Sequence, residues 1–344
     1  MAIIPIFIPH AGCPHQCVFC NQKTISGQKT AAVEGARKQI KKWLEWVKPS
    51  VKNEAAFYGG SFTGLDIALQ KELLALTDEL RSKKAIGSVR LSTRPDYIDA
   101  ERLELLRAHG VQLVELGVQS MDDTVLAAAE RGHSTKQVVE AVALLKEYGF
   151  TVGVQLMVGM PEQSFASVKA TVEQVLQLQP DVARIYPLLV IKGTPLAHSY
   201  EREEFVPLTL EEAVRQSAYI YKKLRAAGVK IIRVGLQADD ELCAEGNILA
   251  GPFHPAMGEL VQSYLLREKL TPQILEAAKQ KGEAVLILCP RALESKVRGL
   301  RNANVKYWSL LAAPKKFILK GMDVSKIEII CVSNDDVEEA ATQD

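Results

Sequence analysis

Cys13, Cys17 and Cys20 stand in the spacing C-x-x-x-C-x-x-C, within the segment Cys13-Pro-His-Gln-Cys17-Val-Phe-Cys20. Thiolates this close on one short loop are soft ligands that can converge on one metal centre. Three of them leave a four-iron cubane one ligand short, so one iron stays open to a group that is not protein. A zinc reading needs a fourth ligand, and His10 and His15 stand nearby. Structural zinc sites generally pair two knuckles far apart in sequence, and no second C-x-x-C occurs in the chain, so iron is the stronger expectation.

Further along, Gly59-Gly60-Ser61 follows an apolar run. Glycines at that point let the backbone come close to a ligand and offer it amide and carbonyl groups. Gln119 and Gln155 interrupt apolar runs, where an amide is costly unless hydrogen-bonded. Arg131, beside Gly132, reads as a cation at a helix C-terminus. His254 lies in a turn-rich segment with Pro252 and Pro255, as a ligand, an acid or part of a structural turn.

These residues need elements to hold them. The chain of 344 residues is 47% apolar and 24% charged, the profile of a folded globular protein of about two domains. Its net charge of +1 gives no global bias towards nucleic acid or membrane. No run of 18 apolar residues predicts a transmembrane helix. The opening MAIIPIFIPH lacks a basic region and reads as a buried strand, not a signal peptide. Six cysteines would make three disulfides, but a chain this large needs no staples and three of them crowd one loop. Cys289 and Cys331 sit in apolar runs as inert core residues. The expectation is a reduced, cytoplasmic protein.

Apolar runs at 3–8, 54–58, 88–92, 113–117, 151–157 and 183–189 alternate with helical patterns, which predicts repeated βα units and a parallel sheet. Six units are too few for a closed eight-stranded barrel. The fold class expected is α/β, a partial (β/α)6 TIM-like barrel over residues 1–206. The polar and glycine-rich segments all follow strands, where such architectures gather function. A helical extension is expected over 207–270, opened by the capping box Thr209-Leu-Glu-Glu212, then a small α/β domain over 271–334 and an acidic, frayed tail over 335–344.

The three-cysteine loop, with Phe19 before its last cysteine, resembles the signature of the radical S-adenosylmethionine (SAM) superfamily. The series YGGSFTGL, LSTRPDYID, VELGVQSMDDTVL…ERGH, GFTVGVQLMVGMP and RIYPLLVIKGTPL narrows this, in order, to the radical SAM core of Elongator protein 3, over residues 1 to about 215. The oxygen-independent coproporphyrinogen oxidases share fewer of these elements. The resemblance implies a 4Fe–4S cluster on Cys13, Cys17 and Cys20, with SAM on the open iron. Gly59, Gly60 and Ser61 would line its methionine end, Arg131 its carboxylate, and Gln119 and Gln155 its ribose. Phe19 and Ser92 join this cofactor set, Ser92 because it stands where the porphyrinogen oxidases carry a carboxylate. The implied chemistry is reductive cleavage of SAM to a 5′-deoxyadenosyl radical that abstracts a substrate hydrogen, driven by a reductant such as ferredoxin or flavodoxin.

Implied substrates are an RNA uridine or a small molecule such as a porphyrinogen; a non-catalytic metal protein is the reading of a different class. Only 74 residues follow position 270, without a Q/R-x-x-G-x-G/A loop, so the acetyltransferase domain of Elongator protein 3 is not expected. Between Arg291 and Lys326, nine Lys or Arg stand against two acids, with Tyr307 and Trp308 interleaved. That segment reads as an RNA-facing patch or as a solvated face.

Overall fold

The computed structural model describes residues 2–8, 13, 15–21, 32–236, 242–313 and 315–333. His10, Gly12 and the expected tail lie outside them. The chain divides into two compact units, Met1–Pro255 and Ala256–Asp344.

The first unit is built on strands β1 (Ile3–Phe7), β2 (Glu54–Tyr58), β3 (Ser88–Thr93), β4 (Val111–Gln119), β5 (Thr151–Val158), β6 (Val182–Pro187), the short β7 (Val190–Ile191), β8 (Lys230–Val234) and β9 (Ile248–Ala250). Seven of them form one parallel sheet in the order β1-β2-β3-β4-β5-β6-β8, curled into a half-barrel. The crossovers carry α1 (Ala32–Leu44), α2 (Ile67–Ser82), α3 (Ala100–Ala108), α4 (Asp123–Ala128), α5 (Thr135–Glu147) and α6 (Phe165–Leu178). Side chains alternate across a strand, and the sequence obeys that period. Ile4, Ile6, Phe57, Leu91, Val114, Leu116, Val152, Val154 and Ile185 fill one face and join the helices in one core. Burying each such side chain stabilises by roughly 1.5–3 kcal/mol. The opposite face carries Glu54, Arg90, Ser92, Glu115, Gln155 and Arg184, with Ser92 in register with Glu115 and Gln155 with Arg184.

The sheet has one strand more than the six expected. Between β6 and β8 lie α7 (Pro195–Glu201) and α8 (Leu210–Ala226), the latter opened by the expected Thr209–Glu212 capping box. The buried face of α8 (Ala213, Ala218, Ile220, Leu224) packs back on β6, so Lys230–Val234 pairs parallel with β6. That stretch, read from sequence as part of an extension, is thereby tied to the barrel sheet. β7 and β9 pair antiparallel beside it.

The second unit opens with α9 (Met257–Lys279), followed by β10 (Ala284–Pro290), α10 (Glu294–Arg298), α11 (Ala303–Leu311), β11 (Lys316–Met322) and β12 (Glu328–Val332). β10 is central, parallel to β11 and antiparallel to β12. The boundary expected at 270 falls inside α9, which continues through Pro272. A proline inside a helix removes one hydrogen bond. Packing compensates: the Trp308 indole donates to Thr271 Oγ1 at 2.9 Å, and the same hydroxyl donates to the Arg267 carbonyl at 2.6 Å. Leu270, Ile274, Val285, Ile287, Val297, Trp308 and Leu319 form this unit's own core.

Candidate functional site

The cysteine loop leaves the carboxyl end of β1 and is pinned at several points. The Val18 amide donates to the Ala129 carbonyl (3.3 Å) after α4, and the Leu196 amide donates to the Val18 carbonyl (2.8 Å) at the start of α7. The Asn21 side-chain amide donates to the Lys192 carbonyl at 2.9 Å. A Cβ added to Gly132, at φ +72°, would lie 2.4 Å from the exposed His15 ring, which would have to turn aside. Phe19 packs against two small apolar clusters, one with Leu188 and Leu196, the other with Val125, Ala129 and Met160. Cys17 is buried.

Arg131 reaches that loop from the segment after α4. Its Nη1 donates to Cys17 Sγ at 3.1 Å and its Nη2 to the Gly117 carbonyl at 2.7 Å. Its own carbonyl accepts from Arg94, whose fork is held by Asp96 through two bonds of 2.9 Å. Burial pushes the Cys13 thiol up, while Arg94 and Arg131 pull it down. Gln119 ends β4 at φ +64°, in the left-handed region that a non-glycine residue enters at a cost. A Cβ on Gly117 would sit 3.1 Å from Gln119 Nε2 and 3.2 Å from Arg131 Nη2, so the two side chains converge over that glycine.

Two buried side chains in this neighbourhood have polar atoms without a hydrogen-bond partner, Arg131 Nε and Gln119 Oε1, and the buried His133 ring has only the Val118 backbone to bond to. Buried polar atoms are normally satisfied, and a polar ligand seated against them would supply the partners. His133 was not singled out from sequence, although it closes the ERGH segment. Burial first, then Arg131 and Arg94, push its imidazole down to about 4, so it is neutral.

Gly59 turns the chain at φ +95°, where a side chain would be strained. Ser61 follows, its hydroxyl 3.0 Å from Thr93 Oγ1 and accepting from the Arg94 amide at 3.3 Å. Gly60, Ser61, Tyr58 and Ser92 line a small cleft with Ile8, Phe57, Phe62 and Leu65. Gln155 donates to Ser92 Oγ at 3.0 Å and to Glu115 Oε2 at 3.4 Å. Glu115 also takes both prongs of Arg184, one of them at 3.0 Å, and Arg184 donates to Tyr58 OH at 2.8 Å. Burial pushes the Tyr58 phenol up to about 12 against the pull of Arg184. Sequence reasoning missed Glu115 and Arg184; the signal was a charge inside each of the apolar strands VELG and ARIY.

Among the described residues, no three His, Cys, Asp or Glu side chains gather closely enough to hold a single metal ion. A four-iron cubane takes each thiolate on a different iron, so its ligands need not meet at one point. The soft donor set and the unsatisfied atoms behind it fit a cluster with an adjoining polar cofactor.

The description "Radical SAM superfamily" matches residues 7–175, and "Radical_SAM C-terminal domain" matches residues 180–267. Together they take in the cysteine loop and every strand from β2 to β9. The chain belongs to the radical SAM superfamily. This radical SAM chain is 29% identical over 311 residues to the tRNA uridine(34) acetyltransferase of Methanocaldococcus infernus, covering 78% of this chain and 57% of that protein. It is 27% identical to the tRNA uridine(34) acetyltransferase of Methanocaldococcus jannaschii, over 77% of this chain and 56% of that protein. It thus spans little more than half the length of these relatives. The solved structure of the archaeal M. infernus Elp3, lacking its N-terminus, superposes with a TM-score of 0.64 at 27% identity, over 78% of this chain and 63% of that one. The expected partial barrel and the likeness to Elongator protein 3 stand, and the chain is an enzyme of this superfamily. Among the described residues no helix is long and apolar enough to cross a membrane.

Proposed function

We propose that this radical SAM enzyme holds a 4Fe–4S cluster on Cys13, Cys17 and Cys20, binds SAM beside it, and acts in the cytoplasm on an RNA uridine. The observation that carries the cofactor reading is the pair of unsatisfied buried atoms on Arg131 and Gln119, gathered behind a loop of three thiols. When bound, the cluster and SAM supply one-electron cleavage of the sulfonium and a carbon radical that abstracts hydrogen.

The chain's own residues do the rest. Arg131 offers its fork to the carboxylate of SAM, and its hydrogen bond to Cys17 Sγ fixes that side chain in the loop. The backbone of Gly59, Gly60 and Ser61 lines the methionine amino end, with Ser61 fixed by Thr93 and the Arg94 amide. Gln119 and Gln155 face the ribose, and Ser92 sets the Gln155 amide. Phe19, packed in its apolar clusters, keeps water from the loop's inner side. A reductant such as ferredoxin or flavodoxin delivers the electron. The RNA substrate is supported by relatives whose names are those of tRNA-modifying enzymes.

Anaerobic reconstitution with iron and sulfide, followed by dithionite and SAM, tests the first part. Iron–sulfur absorption and 5′-deoxyadenosine are expected, and both vanish in Cys17→Ala. Absence of both in the wild type would refute the cofactor reading. Adding bulk tRNA is expected to alter the yield of 5′-deoxyadenosine; an unchanged yield removes the RNA substrate and leaves the cofactor chemistry standing.

A further inference from the structure

The second unit lies mostly beyond the region matched by the superfamily descriptions, which ends at residue 267. We infer that its helices α9 and α11 present a binding surface for single-stranded RNA, with Tyr307 as the stacking platform and Arg301 and Lys306 as phosphate contacts. This rests on the RNA reading above and locates where the strand is held.

The Arg267 guanidinium lies 4.8 Å from the Tyr264 ring centroid and 4.7 Å from that of Tyr307, within cation–π reach of both rings. The stack joins α9 to α11 and is held by Asn304, whose amide donates to the Ser263 carbonyl (3.1 Å) and hydroxyl (3.0 Å). Tyr307 ends the stack and is 38% exposed. A base can therefore lie on the ring without rearranging the helices. Lys306, Tyr307 and Leu310 share the outward side of α11, and Arg301 stands exposed just before that helix.

Charge favours a polyanion. Residues 256–333 carry thirteen Lys or Arg against seven Asp or Glu, an excess of six positive charges in a chain of net charge +1. The structure also sorts the basic segment recognised in the sequence. Arg298 is tied to Glu294 at 2.8 Å and to the Leu319 carbonyl, and Lys315 to the Gln280 carbonyl, so these serve the fold. Arg301 and Lys306 stay exposed, Lys306 beside Tyr307 in the chain and Arg301 just before that helix, with Glu268 the acid next to Arg267 in sequence. A π-face flanked by cations suits unstacked bases; a duplex keeps its bases stacked and unavailable to a ring.

The test uses the full chain, with fluorescence anisotropy of a short labelled RNA of mixed sequence, single-stranded or annealed to its complement. The single strand is expected to bind more tightly. Tyr307→Ala weakens it about tenfold and Tyr307→Phe restores it, as a stacking contact requires. Arg301→Glu with Lys306→Glu, both exposed, lowers the slope of log affinity against log salt by about 1.4, two phosphates' worth on a single strand. This double variant keeps the test decisive if Tyr307→Ala unfolds the second unit. Equal affinity across all variants, or preference for the duplex, overturns the surface. SAM cleavage without RNA should be wild-type in each variant. Wild-type RNA binding that survives in every variant rejects this surface alone; no RNA binding by the wild type with SAM cleavage intact rejects the RNA reading with it; SAM cleavage absent with RNA bound rejects the catalytic reading instead.

Discussion

At the scale of single residues, Arg131 and His133 make the sharpest predictions. Lysine in place of Arg131 keeps the charge but loses the fork, whose charged hydrogen bonds contribute roughly 1.5–3 kcal/mol. Arg131→Lys should bind SAM about 10- to 100-fold more weakly by anaerobic calorimetry, with iron content unchanged. A wild-type affinity would take the residue out of the SAM site. His133 ties stability to pH. An unfolded imidazole titrates near 6.5, whereas in the folded chain burial, Arg131 and Arg94 outweigh Asp96 and the Val118 backbone hydrogen bond and hold it at about 4. The unfolded state therefore binds the proton first, and stability falls as pH drops from about 6.5 to about 4, by up to about 3 kcal/mol. Urea denaturation at pH 7 and pH 4.5 should show this loss shrinking in His133→Gln. Equal losses in both proteins would assign the effect to other groups.

At the scale of elements, β4, β5 and β6 are held on their inner face by charge. Glu115 is 1% exposed and faces the Arg184 fork, so deleting it strands a buried cation. Breaking one side of such a pair costs roughly 3–5 kcal/mol. Glu115→Ala should lose stability on that scale in urea, and more than Glu115→Gln, which keeps a hydrogen-bond acceptor. Gly153 exists to admit the carboxylate: a Cβ there would meet Glu115 Cγ at 2.9 Å and Val182 Cγ2 at 3.0 Å. Gly153→Ala therefore should cost about 1–3 kcal/mol as overpacking. A neutral outcome would mean that the strands can part at little cost.

At the scale of the whole molecule, two separate cores divide the labour. The first holds the SAM barrel and the second is organised around Trp308, which is fully buried and donates to Thr271. Trp308→Ala should destabilise the second unit by roughly 3–5 kcal/mol. Iron incorporation and SAM cleavage without RNA should survive it. Loss of both together would show that the barrel depends on its neighbour, which can be read from circular dichroism and iron content of the same preparation.

The sequence by itself determined what depends on short spacings. Three cysteines in one loop, the Gly59-Gly60 turn, the Thr209–Glu212 cap and the alternating strands are each written within a dozen residues, the range over which backbone geometry repeats. Hence the six barrel strands fell within two residues of their observed ends. Only the tertiary structure decided what depends on which strand lies beside which. Arg131 meets Cys17 across 114 positions, and Arg184 meets Glu115 across 69. Nothing in linear order says which charge a buried carboxylate will face. The same reason hid the place of Lys230–Val234 in the barrel sheet, which depends on α8 folding back onto β6. It also hid the passage of α9 through Pro272, where a hydrogen bond lost to the proline is offset by packing from a distant tryptophan.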